Sequence, residues 1–155
     1  MTLALHPVET IVPQRPPMVL IDEVVARQAD EITVGVTVRP TGLFFQADRG
    51  MPSHVALEWM AQACAAFAGS EAIDGDRPVK VGFFLGTRDF HANRGWFAAG
   101  ERLYVRARLA YRDDEMANFD CEVTDPSGAR SLAKASLNVY QPHDVTKLIS
   151  SPANS

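Results

Sequence analysis

One stretch in the middle of the chain is apolar on almost every side. From Ser53 to about Ile73 it runs through Val55, Ala56, Leu57, Trp59, Met60, Ala61, Ala63, Cys64, Ala65, Ala66, Phe67 and Ala68, and Asp74-Gly75-Asp76 then breaks it. As a helix of about 20 residues it would be roughly 30 Å long. A helix that is apolar all round belongs in an interior rather than on a surface. Whatever else the chain does, the remaining residues must cover that length.

They read mostly as strands. Met18 to Arg27 is β-branched and apolar, and Glu31 to Val38 places Ile32, Val34, Val36 and Val38 on one face, the period of a half-buried strand. Pro40 to Pro52 is a loop. After the helix come strands at about Val79–Phe90, Arg102–Arg112, Ala117–Thr124 and Ala129–Gln141, with polar turns at Asp113-Asp114-Glu115 and Asp125-Pro126-Ser127-Gly128. Two strands, one long helix and four strands make an α+β domain. Only a curved antiparallel sheet wrapped round the helix would hide so much of it, which is the hotdog arrangement. The alternative is a helix lying in the dimer interface of an ordinary α+β sandwich. The chain of 155 residues suits one domain over 1–155. Residues 1–17, with four prolines, form an irregular N-terminal segment with one short helical turn, and 144–155 a frayed tail.

Several classes are disfavoured. Net charge is −4 and the basic residues are scattered (Arg102, Arg106, Arg108, Arg112), so no nucleic-acid footprint stands out. No run approaches the length of a membrane span, and no basic-then-apolar leader opens the chain, so a cytoplasmic protein is expected. Cys64 and Cys121 form no CxxC pair and read as reduced, structural thiols. Four histidines without ligand spacing predict no metal; neither a glycine-rich phosphate loop nor a GxSxG elbow is present, and no cofactor is implied.

Three polar residues interrupt the apolar helix at intervals of four: His54, Glu58 and Gln62. They share one face. They are either a solvated helix edge or the polar lining of a cleft. A carboxylate buried there would hold its proton more tightly, as a general acid requires. His54 falls in the first turn, where the helix dipole disfavours a cation, and a local hydrogen bond accounts for it as well as catalysis does.

At this point a family resemblance emerges. Pro52-Ser53-His54-Val55-Ala56-Leu57-Glu58-Trp59-Met60-Ala61-Gln62 resembles the Pro-Gly-x-x-x-Leu-Glu-x-Met-Ala-Gln helix motif of the β-hydroxyacyl-acyl-carrier-protein dehydratases. Val12-Pro13-Gln14-Arg15-Pro16-Pro17-Met18-Val19-Leu20-Ile21-Asp22 resembles that family's Leu-Pro-His-Arg segment, and Phe97-Ala98-Ala99-Gly100-Glu101-Arg102-Leu103 its turn into a long strand. The matches keep family order over about residues 12–141. The nearest likeness is to the aryl-polyene branch. The resemblance implies loss of water from a 3-hydroxyacyl thioester on the phosphopantetheine arm of acyl carrier protein, within a homo- or heterodimer of hotdog chains. Glu58 would be the acid. Gln62 would fix it and help bind substrate, the helix start at Pro52 and Ser53 would bind the substrate and supply backbone N–H groups to the thioester oxygen, and Met60, Phe83 and Phe84 would flank the acyl chain.

One departure matters. Fourteen residues before the helix glutamate, the housekeeping dehydratases carry a catalytic His; here the position is Phe44. The base then comes from a partner chain, or from His54 at a new position, or the chain is a non-catalytic, carrier-binding subunit. An acyl thioesterase, with Glu58 positioning water, is a further alternative.

Overall fold

The structure, a computed structural model, describes residues 3–79 and 82–141. The tail and His143 lie outside the described residues. After a helical turn, α1 (Val8–Ile11), come β1 (Glu23–Gln28), β2 (Glu31–Thr37), the short β3 (Met51–Pro52) and the long helix α2 (Ala56–Asp74). There follow β4 (Phe83–Ala92), the short β5 (Trp96–Phe97), β6 (Arg102–Asp113), β7 (Met116–Thr124) and β8 (Ser131–Tyr140). Six strands form one antiparallel sheet in the order β1-β2-β6-β7-β8-β4.

Alternation along the strands aims every second side chain at α2. Register lines these residues up across strands: Val34, Val105, Val123 and Ala133 form one row, and Ile32, Ala107, Cys121 and Ala135 the next. All eight are buried. The second row is mostly small, and there Cys64 of α2 meets Cys121, sulfur to sulfur at 3.7 Å. Two cysteines far apart in sequence are thus neighbours in the core; burial and the adjoining Cys121 push the Cys64 thiol above its ordinary value. Trp59, Met60, Ala63 and Phe67 are buried against the sheet, as the apolar run requires. Trp59 packs on Phe97 with ring centroids 5.1 Å apart, and Phe67 meets Phe119 edge-on at 5.5 Å. Each large side chain so buried contributes roughly 1.5–3 kcal/mol.

The helix is not covered on every side. Ala61, Ala65 and Ala68 are half-buried along one stripe. Its first turn, Ser53–Val55, is a 3-10 turn, and the Ser53 N–H donates to the Gly95 carbonyl at 2.8 Å.

Two sequence expectations shift, and one pairing is added. The first strand begins at Glu23 rather than Met18, because residues 18–20 find a side-chain partner instead of a neighbouring strand. The strand expected to end at Phe90 runs on to Ala92, so His91 lies within a strand rather than beyond it. The pairing of β3 with β5, which pins the start of α2 beside Phe97, has too few residues to show as a periodic pattern. No described helix is long and apolar enough to cross a membrane.

Ile11 lies so close to α2 that a Cβ on Gly69 would collide with its carbonyl. Gly69→Ala should therefore loosen the N-terminal segment and cost about 1–3 kcal/mol in denaturant unfolding. Unchanged stability would contradict that close approach. At the far end of α2, Asp74 accepts a hydrogen bond from His6 (2.8 Å) and pairs with Arg27 (2.8 Å). These two partners hold its carboxyl below the ordinary value of 3.8. A lowered value stabilises the fold above the ordinary one, and the effect fades as pH falls through the folded value. The carboxylate is partly exposed, so Asp74→Asn should cost about 1 kcal/mol or less at pH 7. Its gap from wild type should close below pH 3.8.

Candidate functional site

Gln62 is fully buried, and every polar atom of its carboxamide is engaged. Its Oε1 accepts the Leu20 N–H at 2.8 Å. Its Nε2 donates to the Met18 carbonyl at 2.8 Å and to Glu58 Oε1 at 3.0 Å. Partners of both kinds fix which end of the amide is which. One side chain thus ties the N-terminal segment to the helix and holds the Glu58 carboxylate in one orientation. Gln62 holds Glu58, as expected from their spacing, and does not itself line the cavity described next.

Glu58 is half-buried and borders a cavity of about 250 Å³ that runs along the open stripe of α2. Ala61, Ala65, Ala68 and Ala72 form its helix wall, and Phe84, Ala117, Phe119 and Val139 line it from the strands. Four alanines spaced by three and four residues leave a trough where larger side chains would fill it. Glu58 stands toward one end; Glu71, Arg77 and Arg112 stand toward the other. Pro13 and Gln14, from the N-terminal segment, complete the wall, and the Gln14 Oε1 is buried there with no hydrogen-bond partner.

The remaining expected residues scatter. His54 is exposed in the 3-10 turn and does not line the cavity; no described histidine does. Pro52 is buried as part of β3, where it pairs with Trp96. The Ser53 N–H is already bonded to Gly95 and is not free for a thioester oxygen. Met60 faces the core rather than the cavity, because it points to the sheet side of α2. Phe84 lines the cavity and is 47% exposed on the edge strand β4; the side chain of Phe83 lies outside the described residues. Phe44 takes a left-handed φ of 69° and stands half in solvent. Arg112 and Glu71 went unnoticed as cavity residues, since neither interrupts a pattern.

A curved antiparallel sheet around one helix, with a glutamate on that helix beside an apolar trough, defines a hotdog-fold protein. The sequence matches the ApeP-like family, ApeP dehydratase, over residues 6–150, and the chain belongs to that family. Among solved structures it is similar to a chain of the dehydratase heterocomplex ApeI:P from Xenorhabdus doucetiae. The two are 26% identical, over 94% of this chain and 98% of that one, with a TM-score of 0.84. More distant likenesses extend to fold alone. One is PaaI from the phenylacetic acid degradation operon of E. coli, with 12% identity, 76% and 80% of the two chains and a TM-score of 0.59. Another is a hypothetical thioesterase from Streptococcus pneumoniae, with 12% identity, 77% and 84% of the chains and a TM-score of 0.61. No curated protein sequence matches.

Replacing Gln62 by Leu keeps the bulk but orphans the Leu20 N–H and the Met18 carbonyl. Both bonds are part-buried, so each orphan costs up to about 1–3 kcal/mol. Gln62→Leu should therefore destabilise the protein by several times the effect of Glu58→Gln, measured by chemical denaturation. Equal effects would mean that the clamp is not structural.

Proposed function

We propose that this chain is the carboxylate-bearing half of a two-chain dehydratase acting on 3-hydroxyacyl thioesters carried by acyl carrier protein, in fatty-acid or aryl-polyene-type synthesis. The observation that carries the reading is a glutamate, clamped by Gln62, facing an apolar trough whose described lining holds no histidine. A carboxyl group is provided for and a base is not. The likeness to a chain from a dehydratase heterocomplex supports a hotdog partner as the source of the base. So do the half-exposed Phe84 and Leu85 on β4, an edge strand with unpaired backbone groups that a second sheet could cover.

The chemistry follows from the placement. A partner histidine takes a proton from C2 of the substrate, and the thioester oxygen gathers enolate charge. The C2–C3 double bond forms as the C3–O bond breaks, and Glu58 gives its proton to the departing hydroxyl, which leaves as water. The proton held by the base then restores Glu58, so the cycle is balanced. Gln62, bonded to Oε1, leaves Oε2 to face the substrate. Phe44 closes the matching position on this chain, so each heterodimer carries one working site rather than two. His54, exposed and outside the trough, is a poor candidate for the base.

Purified alone, the chain should dehydrate 3-hydroxyacyl carrier substrates negligibly, and adding the hotdog partner should restore turnover. In that mixture Glu58→Gln should lower kcat by about 10²–10⁴-fold, the usual contribution of an acid–base group. His54→Ala should leave it unchanged. Full activity of the lone chain, lost in His54→Ala, would overturn the partner-base reading. A mixture indifferent to Glu58→Gln would make this chain a non-catalytic subunit.

A further inference from the structure

The trough beside Glu58 is bounded at its other end by charge. Glu71 lies thirteen residues further along α2 on the same cavity, a separation of about 20 Å at 1.5 Å per residue. Between the two, the helix presents alanines. At the end, Arg112 Nη2 meets Glu71 Oε2 at 3.1 Å, and the guanidinium sits 5.9 Å above the centre of the Phe67 ring. Arg77 adds a hydrogen bond of 3.1 Å to the Glu71 main-chain carbonyl.

Arg112 is aimed there by a defect in the sheet. On β6, residues 103, 105 and 107 point inward, while Arg102, Arg106 and Arg108 point outward to Glu23, Glu122 and Asp120. Strict alternation would put Arg112 outside with them. A bulge between Leu109 and Tyr111 shifts the register, so that Arg112 pairs with Ala117, itself a cavity residue. One extra residue reverses the face of everything after it. An apolar tail reaching this point must either stop or push the guanidinium away from the carboxylate.

We propose that the Arg112–Glu71 ion pair is the end wall of the acyl trough and sets the longest acyl chain that the protein accepts. This rests on the reading of the trough as an acyl site given above. The pair is partly exposed, with side chains 44% and 31% accessible, so it adds little to stability and can be altered without unfolding the protein.

The test is a length series of saturated acyl pantetheine thioesters, with binding to the full chain measured by calorimetry. The same series of 3-hydroxyacyl carrier substrates is then assayed with the hotdog partner present. In wild type, affinity should rise with length and then fall roughly 10-fold or more per methylene once the tail meets the wall. Arg112→Ala and Glu71→Ala should move the fall to longer chains and leave the shortest ligand within about 2-fold. The exchanged pair, Glu71→Arg with Arg112→Glu, should restore the wild-type limit. A limit that stays put in both single variants overturns the proposal, and so does an exchanged pair that behaves like the single variants. Binding with the expected limit but no turnover in any mixture would instead refute the dehydratase reading and leave the end wall standing.

Discussion

The carboxamide of Gln62 is the interaction on which the site depends. A buried amide is costly unless each of its donors and acceptors is met. Here they are met by three separate groups of the chain: the Leu20 N–H, the Met18 carbonyl and the Glu58 carboxylate. The N-terminal segment is thereby docked on the helix, and the carboxylate is docked with it. Arg15 continues the fastening, its guanidinium donating to the main-chain carbonyls of Val12 and Gln14. The wall of the trough and the orientation of the Glu58 carboxylate thus share one set of hydrogen bonds.

That arrangement explains how a carboxylate stands midway along an otherwise apolar helix. Glu58 is neither sealed in the core nor free in solvent. One oxygen accepts from Gln62, and the residue borders a space lined largely by alanines and phenylalanines. The surface ion pairs of β6 have a different task. Arg106 and Arg108 pair with Glu122 and Asp120 on the neighbouring strand β7, which offsets charge on the outer face and supports the register.

Much of the fold was legible because it rests on local periodicity. Alternation in Glu31–Val38 and the unbroken apolar run after Ser53 report directly on which faces are covered, and the sheet and helix follow. The site was partly legible for the same reason: residues four apart on a helix must share a face, so Glu58 and Gln62 had to meet. The first strand was misplaced because residues 18–20 are apolar and β-prone, yet their hydrogen bonds go to a side chain more than forty residues away. Nothing in the local pattern distinguishes that partner from a strand. His54 shares the spacing of Glu58 and Gln62 but does not line the trough, and Gly95 takes the Ser53 N–H, contacts that spacing along one element does not reveal.

From the sequence alone came the class of fold, the helix at its centre and the glutamate–glutamine pair on it, because each is a matter of spacing along one element. The trough came only from tertiary structure, since it is defined by what does not cover the alanines of α2. The same holds for Arg112. In the sequence it is one of four similar arginines, and a single bulge, invisible to periodicity, turns it from the outer face to the inner one. Spacing decides which residues of one element share a face. Register between elements decides what those faces meet, and register is set by contacts far apart in the chain.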